Sequence, residues 1–173
     1  MLITMAGLPG TGKSTLAQKL ADAYSGIVLD KDVIRAALFP IALIEYSTRQ
    51  DDFCMSILFQ VATYMLQNDP SLHVILDGRT FSRKYQVEAL DQFAEEINKP
   101  LKIIECMCSD ETAQKRLEEK VTVGVKHLAG NRDFYLYLRM KACFEPIREP
   151  KLVVNTDEDL AHCLALCLAY VSI

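Results

Sequence analysis

The sequence predicts an α/β fold in which helices cover both faces of a parallel β-sheet, giving three αβα layers. Short apolar segments of strand length alternate with segments of helical periodicity along the whole chain. The first apolar segment, residues 2–6, leads into a glycine-rich loop and then a helix. Two later apolar segments end in Asp30 and Asp77, at the carboxyl edge where ligands of such sheets bind.

The glycine-rich loop, residues 7–14, has the spacing of a phosphate-binding loop: Gly, four residues, Gly, Lys, then Ser or Thr. Its glycines let backbone N–H groups face phosphate oxygens, and the following helix adds its positive end. Lys13 would neutralise the β- and γ-phosphates, and the Ser14 hydroxyl would ligate Mg²⁺. The alternative is a chance glycine turn, which the correct flanking segments disfavour. The residues predicted to bind nucleotide here are Gly7, Leu8, Pro9, Gly10, Thr11, Gly12, Lys13, Ser14 and Thr15.

The second predicted strand, residues 26–30, is followed by Asp32 and a short helix over residues 33–38. A carboxylate at this edge opens into the ligand crevice, where Asp32 could orient an acceptor hydroxyl and take its proton. Asp32 could instead be the N-cap of the short helix, since Asp is a favoured capping residue. The two roles are compatible.

A long helix is predicted over residues 48–67. Apolar residues at helical spacing mark the face predicted to meet the core. Arg49, Asp51 and Asp52, near its start, are predicted to form a solvated end, although a helix at this place can also form a wall of an acceptor pocket. The predicted core residues are Phe53, Ile57, Val61, Tyr64 and Met65.

The third predicted strand ends in Asp77, followed by a turn. An apolar strand that ends in Asp is the second signature of a phosphate site, in which the carboxylate holds Mg²⁺ directly or through water. Asp77 could also be a turn residue only. Arg79 lies at the same edge and could bind a phosphate, or it could be a surface arginine.

The second half of the chain continues the alternation. Helices are predicted over residues 82–98, 109–120 and 133–144, strands over 101–108 and 151–156, and a final helix capped by Asp157. Residues 121–131 contain two glycines, and Arg116 and Arg132 flank them. We therefore predict a small lid at about residues 116–132 that closes over the transferring phosphates. A helix face balanced by glutamates is the alternative for these cations.

Composition restricts the class of protein. The chain has 173 residues and a net charge of −4, which predicts one domain and makes nucleic-acid binding unexpected. No leader-like segment or membrane-length apolar run is present, so we expect a cytoplasmic protein without membrane contact. The six cysteines lack metal or redox spacing and are predicted to be reduced thiols, mostly in the core.

These residues together resemble the P-loop small-molecule kinases, the group that holds shikimate, gluconate and adenylate kinases and the kinase module of polynucleotide kinases. The resemblance implies the P-loop NTPase fold, with a five-stranded parallel sheet in the order 2-3-1-4-5, a lid, and ATP with Mg²⁺. It is carried by the loop at residues 7–14, Leu29-Asp30-Lys31-Asp32 with Arg35, Leu76-Asp77-Gly78, the segment at Arg116, and Val153-Val154-Asn155-Thr156.

The resemblance also assigns roles. Asp30 and Asp32 match an Asp-x-Asp motif that contacts the acceptor and its hydroxyl, and Asn155 and Thr156 would lie near adenine. The predicted activity is transfer of the γ-phosphate of ATP to a hydroxyl of a small molecule, with Lys13, Asp32 and Arg116 as catalytic residues. The alternative is a nucleotide-binding switch or regulatory ATPase without an acceptor. The predicted acceptor-binding residues are Asp30, Asp32, Arg35, Arg79 and Arg132, and the predicted metal ligands are Ser14 and Asp77.

Overall fold

The computed structural model describes residues 1–122 and 133–172. Five parallel strands form one sheet in the order β2-β3-β1-β4-β5, which confirms the predicted fold class and strand order. The strands are β1 (Leu2–Ala6), β2 (Ile27–Asp30), β3 (Val74–Asp77), β4 (Leu101–Met107) and β5 (Leu152–Asn155). The helices are α1 (Lys13–Tyr24), α2 (Lys31–Leu38), α3 (Thr48–Asn68), α4 (Lys84–Glu96), α5 (Asp110–Thr122), α6 (Phe134–Ala142) and α7 (Leu160–Val171), with a 3-10 turn at Ile41–Leu43.

Helices cover both faces of the sheet because its strands are apolar on both sides. Strand β1 is fully buried, and its side chains alternate between the two cores, Leu2 on one face and Ile3 on the other. Helices α3 and α4 close the first core, and α1 and α7 close the second. This arrangement brings the carboxyl ends of β1, β2 and β3 to one edge, where the predicted site residues lie.

The predicted core face of α3 is wrong. Phe53 and Tyr64 are 51% and 70% exposed, whereas Cys54, Leu58 and Ala62 are fully buried. Both sets keep helical spacing, so periodicity alone did not fix which face meets the sheet.

The apolar face of α4 packs on the sheet, with Val87, Leu90 and Phe93 buried in the first core. The cap of α7 is Asp159 rather than Asp157, because the Asp159 carboxylate accepts the backbone N–H groups of Ala161 and His162.

The cysteines are free, and four of them are buried. Burial raises the pKa of Cys106 to about 12 and that of Cys167 to about 11, so both remain thiols at neutral pH. Within residues 1–122 and 133–172, no cluster of three or more His, Cys, Asp or Glu side chains is arranged to hold a metal ion. None of the helices in these ranges combines the length and the apolar character needed to cross a membrane.

Candidate active site

Residues 7–14, the phosphate loop, join β1 to α1 and depend on glycine at defined positions. Gly7 has φ 124°, and a Cβ placed on it would lie 2.2 Å from the Cys106 carbonyl oxygen. Gly12 has φ 82° and is the residue from which α1 starts, with its carbonyl accepting the Leu16 N–H. Residues with a side chain rarely adopt such φ values, so glycine at these positions allows the loop to fold tightly over the sheet edge.

Lys13 is buried beside the loop, with 5% of its surface exposed. Its ammonium group donates a hydrogen bond to the Leu8 carbonyl at 2.7 Å, and the Thr11 hydroxyl donates to the same carbonyl at 2.8 Å. The lysine charge therefore lies directly on the inner edge of the loop, where a phosphate would meet both Lys13 and the backbone N–H groups.

Thr156, just after β5, ties the phosphate loop to the rest of the sheet edge. Its hydroxyl lies 3.0 Å from the Thr11 carbonyl oxygen and 3.1 Å from that of Met107. Arg116 donates to the Thr156 hydroxyl at 2.9 Å, to the Thr156 carbonyl at 2.7 Å and to the Gly10 carbonyl at 3.3 Å. Arg116 thus bridges the loop after β5 and the phosphate loop.

Asn155 ends β5, and its side chain accepts the Asp157 N–H at 3.1 Å in a turn. Asn155 is exposed and Thr156 is buried, so only Asn155 has an accessible side chain. Their predicted position near adenine remains a prediction.

Asp77 ends β3, the neighbour of β1 in the sheet, and is 2% exposed. Among the hydrogen bonds of the described residues, none satisfies its Oδ1 atom, although that oxygen is buried. An orphaned carboxylate oxygen beside a phosphate loop fits a ligand for Mg²⁺ or for a water on Mg²⁺. Ser14 lies in the first turn of α1 and is exposed.

Next to the phosphate loop is a cavity of about 230 Å³, here named the charged pocket. Its walls come from α2, from the start of α3, from the turn after β3, and from α6. It is therefore assembled from segments that are far apart in the sequence. The described lining residues are Pro9, Lys13, Lys31, Asp32, Arg35, Tyr46, Thr48, Asp51, Gly78, Arg79, Thr80, Leu136 and Met140.

The two aspartates of the Asp-x-Asp motif have different positions. Asp30 is the N-cap of α2, and its Oδ1 accepts the Asp32 N–H at 2.7 Å. Gly78 makes room for this cap, since a Cβ there would lie 2.6 Å from that same oxygen. Asp32 is 1% exposed and lines the charged pocket. The N-cap alternative for Asp32 is therefore wrong, and Asp30 is not among the described residues that line the pocket.

Charged side chains of α2 and α3 that line the pocket form ion pairs with one another. Asp32 lies 3.1 Å from the Lys31 ammonium and 2.8 Å from an Arg35 guanidinium nitrogen. Asp51 on α3 pairs with Lys31 at 2.8 Å and also with Arg35. The Arg35 guanidinium lies 5.2 Å from the centre of the Tyr46 ring.

Arg79 forms its own pair on the other side of the pocket. Its guanidinium contacts Asp52, the carboxylate that also accepts from the Tyr85 hydroxyl at 3.2 Å. Asp51 and Asp52 are therefore partners of buried cations. The Asp51 side chain is 26% exposed, so the prediction of a solvated helix end is wrong for Asp51, whereas the Asp52 side chain is 43% exposed and remains in contact with solvent. Sequence analysis missed the roles of Lys31, Asp51 and Asp52. Asp32 and Arg35 share a helical spacing that could be read, but the pairing across α2 and α3 depends on tertiary packing.

The remaining predictions fall partly outside the described residues. Arg132 and residues 123–132 of the predicted lid lie there. Arg116 belongs to α5, where its contacts are with the phosphate loop and Thr156. The lid and the roles of Arg116 and Arg132 in catalysis stay predictions.

Comparisons with known proteins agree with this architecture. The model of the AAA domain family matches residues 2–146, most of the chain. No curated protein sequence matches the chain.

Solved structures share the fold at low sequence identity. An APS kinase from Mycobacterium tuberculosis, in complex with AMPPNP and APS, has 17% identity and a TM-score of 0.75, covering 99% of this chain and 97% of its own. A gluconokinase from Sinorhizobium meliloti has 14% identity and a TM-score of 0.71, covering 98% and 90%. Kti12 from Chaetomium thermophilum, in complex with ADP-AlF3, has 15% identity and a TM-score of 0.71, covering 99% and 98%. The chain therefore belongs to the AAA domain family, and its fold is that of the P-loop small-molecule kinases.

Proposed function

We propose that this protein is a kinase that transfers the γ-phosphate of ATP to a hydroxyl group of a small molecule. The observation that carries the proposal is that one cavity is lined both by Lys13 of the phosphate loop and by the buried carboxylate of Asp32. A nucleotide switch needs the phosphate loop but has no use for a carboxylate-lined pocket beside it. Nucleotide complexes of two neighbours, with AMPPNP and with ADP-AlF3, support the choice of nucleotide.

Each residue has a defined task in the proposed reaction. The backbone N–H groups of the phosphate loop and the Lys13 ammonium bind the β- and γ-phosphates and stabilise charge as it moves to the leaving oxygen. Asp32 orients the acceptor hydroxyl. As its oxygen forms a bond to the γ-phosphorus, the bond from that phosphorus to the ADP oxygen breaks, and the hydroxyl proton passes to Asp32. Arg35 and Arg79 contribute hydrogen-bond donors around the acceptor.

Mg²⁺ fits the same site. The Ser14 hydroxyl and the Asp77 carboxylate would hold it, and the ion would neutralise part of the triphosphate charge. The orphaned Oδ1 of Asp77 supports this assignment. Arg116 is proposed to act on the nucleotide side, and Arg132 is proposed to bind the acceptor. With ATP and a small hydroxyl compound as its ligands, the protein needs no basic surface for nucleic acid, which agrees with its net charge of −4.

The test is ADP release with ATP, Mg²⁺ and a panel of hydroxyl-bearing metabolites, measured for the unchanged protein and for Asp32→Asn. We expect at least one compound to stimulate ADP release. Asp32→Asn should reduce that stimulated rate roughly ten- to ten-thousand-fold, the range for loss of a general base and of orientation, while nucleotide affinity stays the same. Asp22→Asn, an exposed carboxylate on α1, is the matched control. Slow ADP release that no compound changes would indicate a switch or regulatory ATPase instead.

A further inference from the structure

Among the residues that the structure describes, three cations of the charged pocket are paired with carboxylates of the chain. Lys31 and Arg35 share Asp32 and Asp51, and Arg79 pairs with Asp52. The set therefore contains three cations and three carboxylates, and its formal charge is zero. Lys13 lies at the phosphate loop, where the proposed function assigns it to the nucleotide.

Asp51 is held in this position by the start of α3. Ser47 caps the helix by accepting the Gln50 N–H, and the Asp51 N–H bonds to the Ser47 carbonyl at 2.9 Å. The buried side chain of Gln50 donates to the Leu43 carbonyl at 2.9 Å and accepts the Glu45 N–H at 3.0 Å, which fixes the preceding segment to the helix. Asp51 is thus a fixed partner of Lys31 and Arg35.

This pairing selects against an anionic ligand. A carboxylate, phosphate or sulfate group could reach Lys31 and Arg35 only by separating them from Asp51, whose side chain is only 26% exposed. Removing the partner of a largely buried charge is strongly unfavourable. The same two cations are also the partners of the buried Asp32 carboxylate, so an anion that drew them away would leave Asp32 without these contacts as well.

A hydroxyl group meets no such conflict, because it donates to one neighbour and accepts from another. The pocket offers both kinds of partner: carboxylate oxygens of Asp32 and Asp51 as acceptors and guanidinium groups of Arg35 and Arg79 as donors. On the other side, apolar side chains would cover the C–H groups of a carbon skeleton. A volume of about 230 Å³ suits a compact molecule rather than a polymer. The apolar lining residues are Pro9, Leu136 and Met140.

From this charge balance we infer that Asp51 is a built-in counter-anion, and that the pocket takes an uncharged polyhydroxyl acceptor, such as a sugar or polyol. Acceptors that carry an acidic group in this pocket are disfavoured. The term acceptor rests on the proposed kinase function, whereas the pairing of Asp51 with Lys31 and Arg35 can be tested without any phosphotransfer.

Sulfate serves as the anionic probe. Melting temperature is measured against sodium sulfate, with sodium chloride at equal ionic strength as reference and with Mg²⁺ and a non-hydrolysable ATP analogue occupying the phosphate loop. The same titrations are done in a Lys13→Ala background without nucleotide, so that sulfate on the phosphate loop does not contribute even if nucleotide binding fails. Asp51→Asn keeps the shape of the side chain and removes its charge, and Asp22→Asn is the matched control for the loss of one exposed carboxylate.

We expect the unchanged protein and Asp22→Asn to respond equally to sulfate and chloride. Asp51→Asn should gain a saturable stabilisation by sulfate, about 3–6 °C at ten times the dissociation constant for a chain of this size, and Arg35→Gln added to Asp51→Asn should abolish it. Sulfate stabilisation of the unchanged protein that Arg35→Gln removes would overturn the inference, because it would show that anions already displace Asp51. That result would leave the kinase proposal intact, whereas failure of the hydroxyl panel alone would leave the charge inference intact.

Discussion

The two ends of the crevice are built in different ways. At the nucleotide end, one continuous loop wraps the expected position of the phosphates with backbone groups, and Lys13 supplies its buried charge. At the other end, α2, α3 and the turn after β3 each contribute side chains, and six charged groups neutralise one another. The nucleotide end therefore attracts an anion. At the acceptor end the paired charges cancel, so we expect it to attract none.

The two ends also differ in which groups provide the binding energy and the stability. A backbone cradle has its donors in place before ligand arrives, so the Lys13 charge acts on a phosphate together with donors that need no rearrangement. In a network of buried ion pairs, each single charge adds little to the stability of the protein, whereas removal of one partner is strongly destabilising. We therefore expect loss of Lys13 to lower catalysis strongly at the nucleotide end. At the other end, removal of a charge other than Asp32, the proposed base, should change selectivity rather than turnover.

Lys13→Ala tests the nucleotide end most directly. We expect turnover to fall at least a hundredfold, which is about 2.7 kcal/mol of transition-state stabilisation, with the melting temperature nearly unchanged. Lys19→Ala, an exposed lysine on the same helix, is the control and should leave turnover unaltered. Near-normal turnover of a folded Lys13→Ala protein would refute the kinase assignment.

Asp77→Asn separates a metal role from a turn role. The Mg²⁺ concentration that gives half-maximal nucleotide binding should rise about ten- to a hundredfold. The metal-free protein should melt at the same or a higher temperature, because the substitution removes the charge from a buried carboxylate with an unsatisfied oxygen. A Mg²⁺ midpoint that does not move would show that Asp77 is only a turn residue.

The nucleotide end could be predicted from the sequence more fully than the acceptor end, because only the first is one continuous segment. The phosphate loop is eight consecutive residues whose spacing carries its chemistry, and strand-end positions located Asp77 and Asp32 because topology fixes where parallel strands end. The pairing of Asp51 with Lys31 depends on which way α3 faces. That was the feature that hydrophobic periodicity misread when it placed Phe53 in the core. Charged residues that are brought together by the packing of two helices have no characteristic spacing in the sequence from which their pairing could be predicted.

Arg116→Ala tests whether the phosphate loop needs support from outside its own residues. The guanidinium bonds to Gly10 and to both oxygens of Thr156, so its loss should loosen the loop and weaken nucleotide affinity about tenfold, the effect of roughly 1.4 kcal/mol. Arg116→Lys should not restore affinity, since one ammonium group cannot reproduce this planar set of contacts. Lys115→Ala, an exposed neighbour on α5, is the control. A fall in turnover with unchanged affinity would instead identify Arg116 as the predicted lid cation that acts on the transferring phosphate.

The smallest effect is expected for Asp30→Asn, two residues from the carboxylate on which the proposed chemistry depends. Asp30 caps α2 by accepting the Asp32 N–H, and the side-chain oxygen of Asn accepts that bond about as well. Acceptor phosphorylation should stay within about twofold and the melting temperature within about 2 °C of the unchanged protein, because the cap is retained. Asp30→Ala loses the cap and should cost about 1 kcal/mol of the free energy of unfolding.

The same Asp to Asn change thus distinguishes a cap from a base within one motif: Asp30→Asn keeps activity and Asp32→Asn loses it. A large loss of phosphorylation in Asp30→Asn at an unchanged melting temperature would contradict this division. It would mean that the Asp30 charge acts on the acceptor itself, and that both aspartates of the motif belong to the acceptor site.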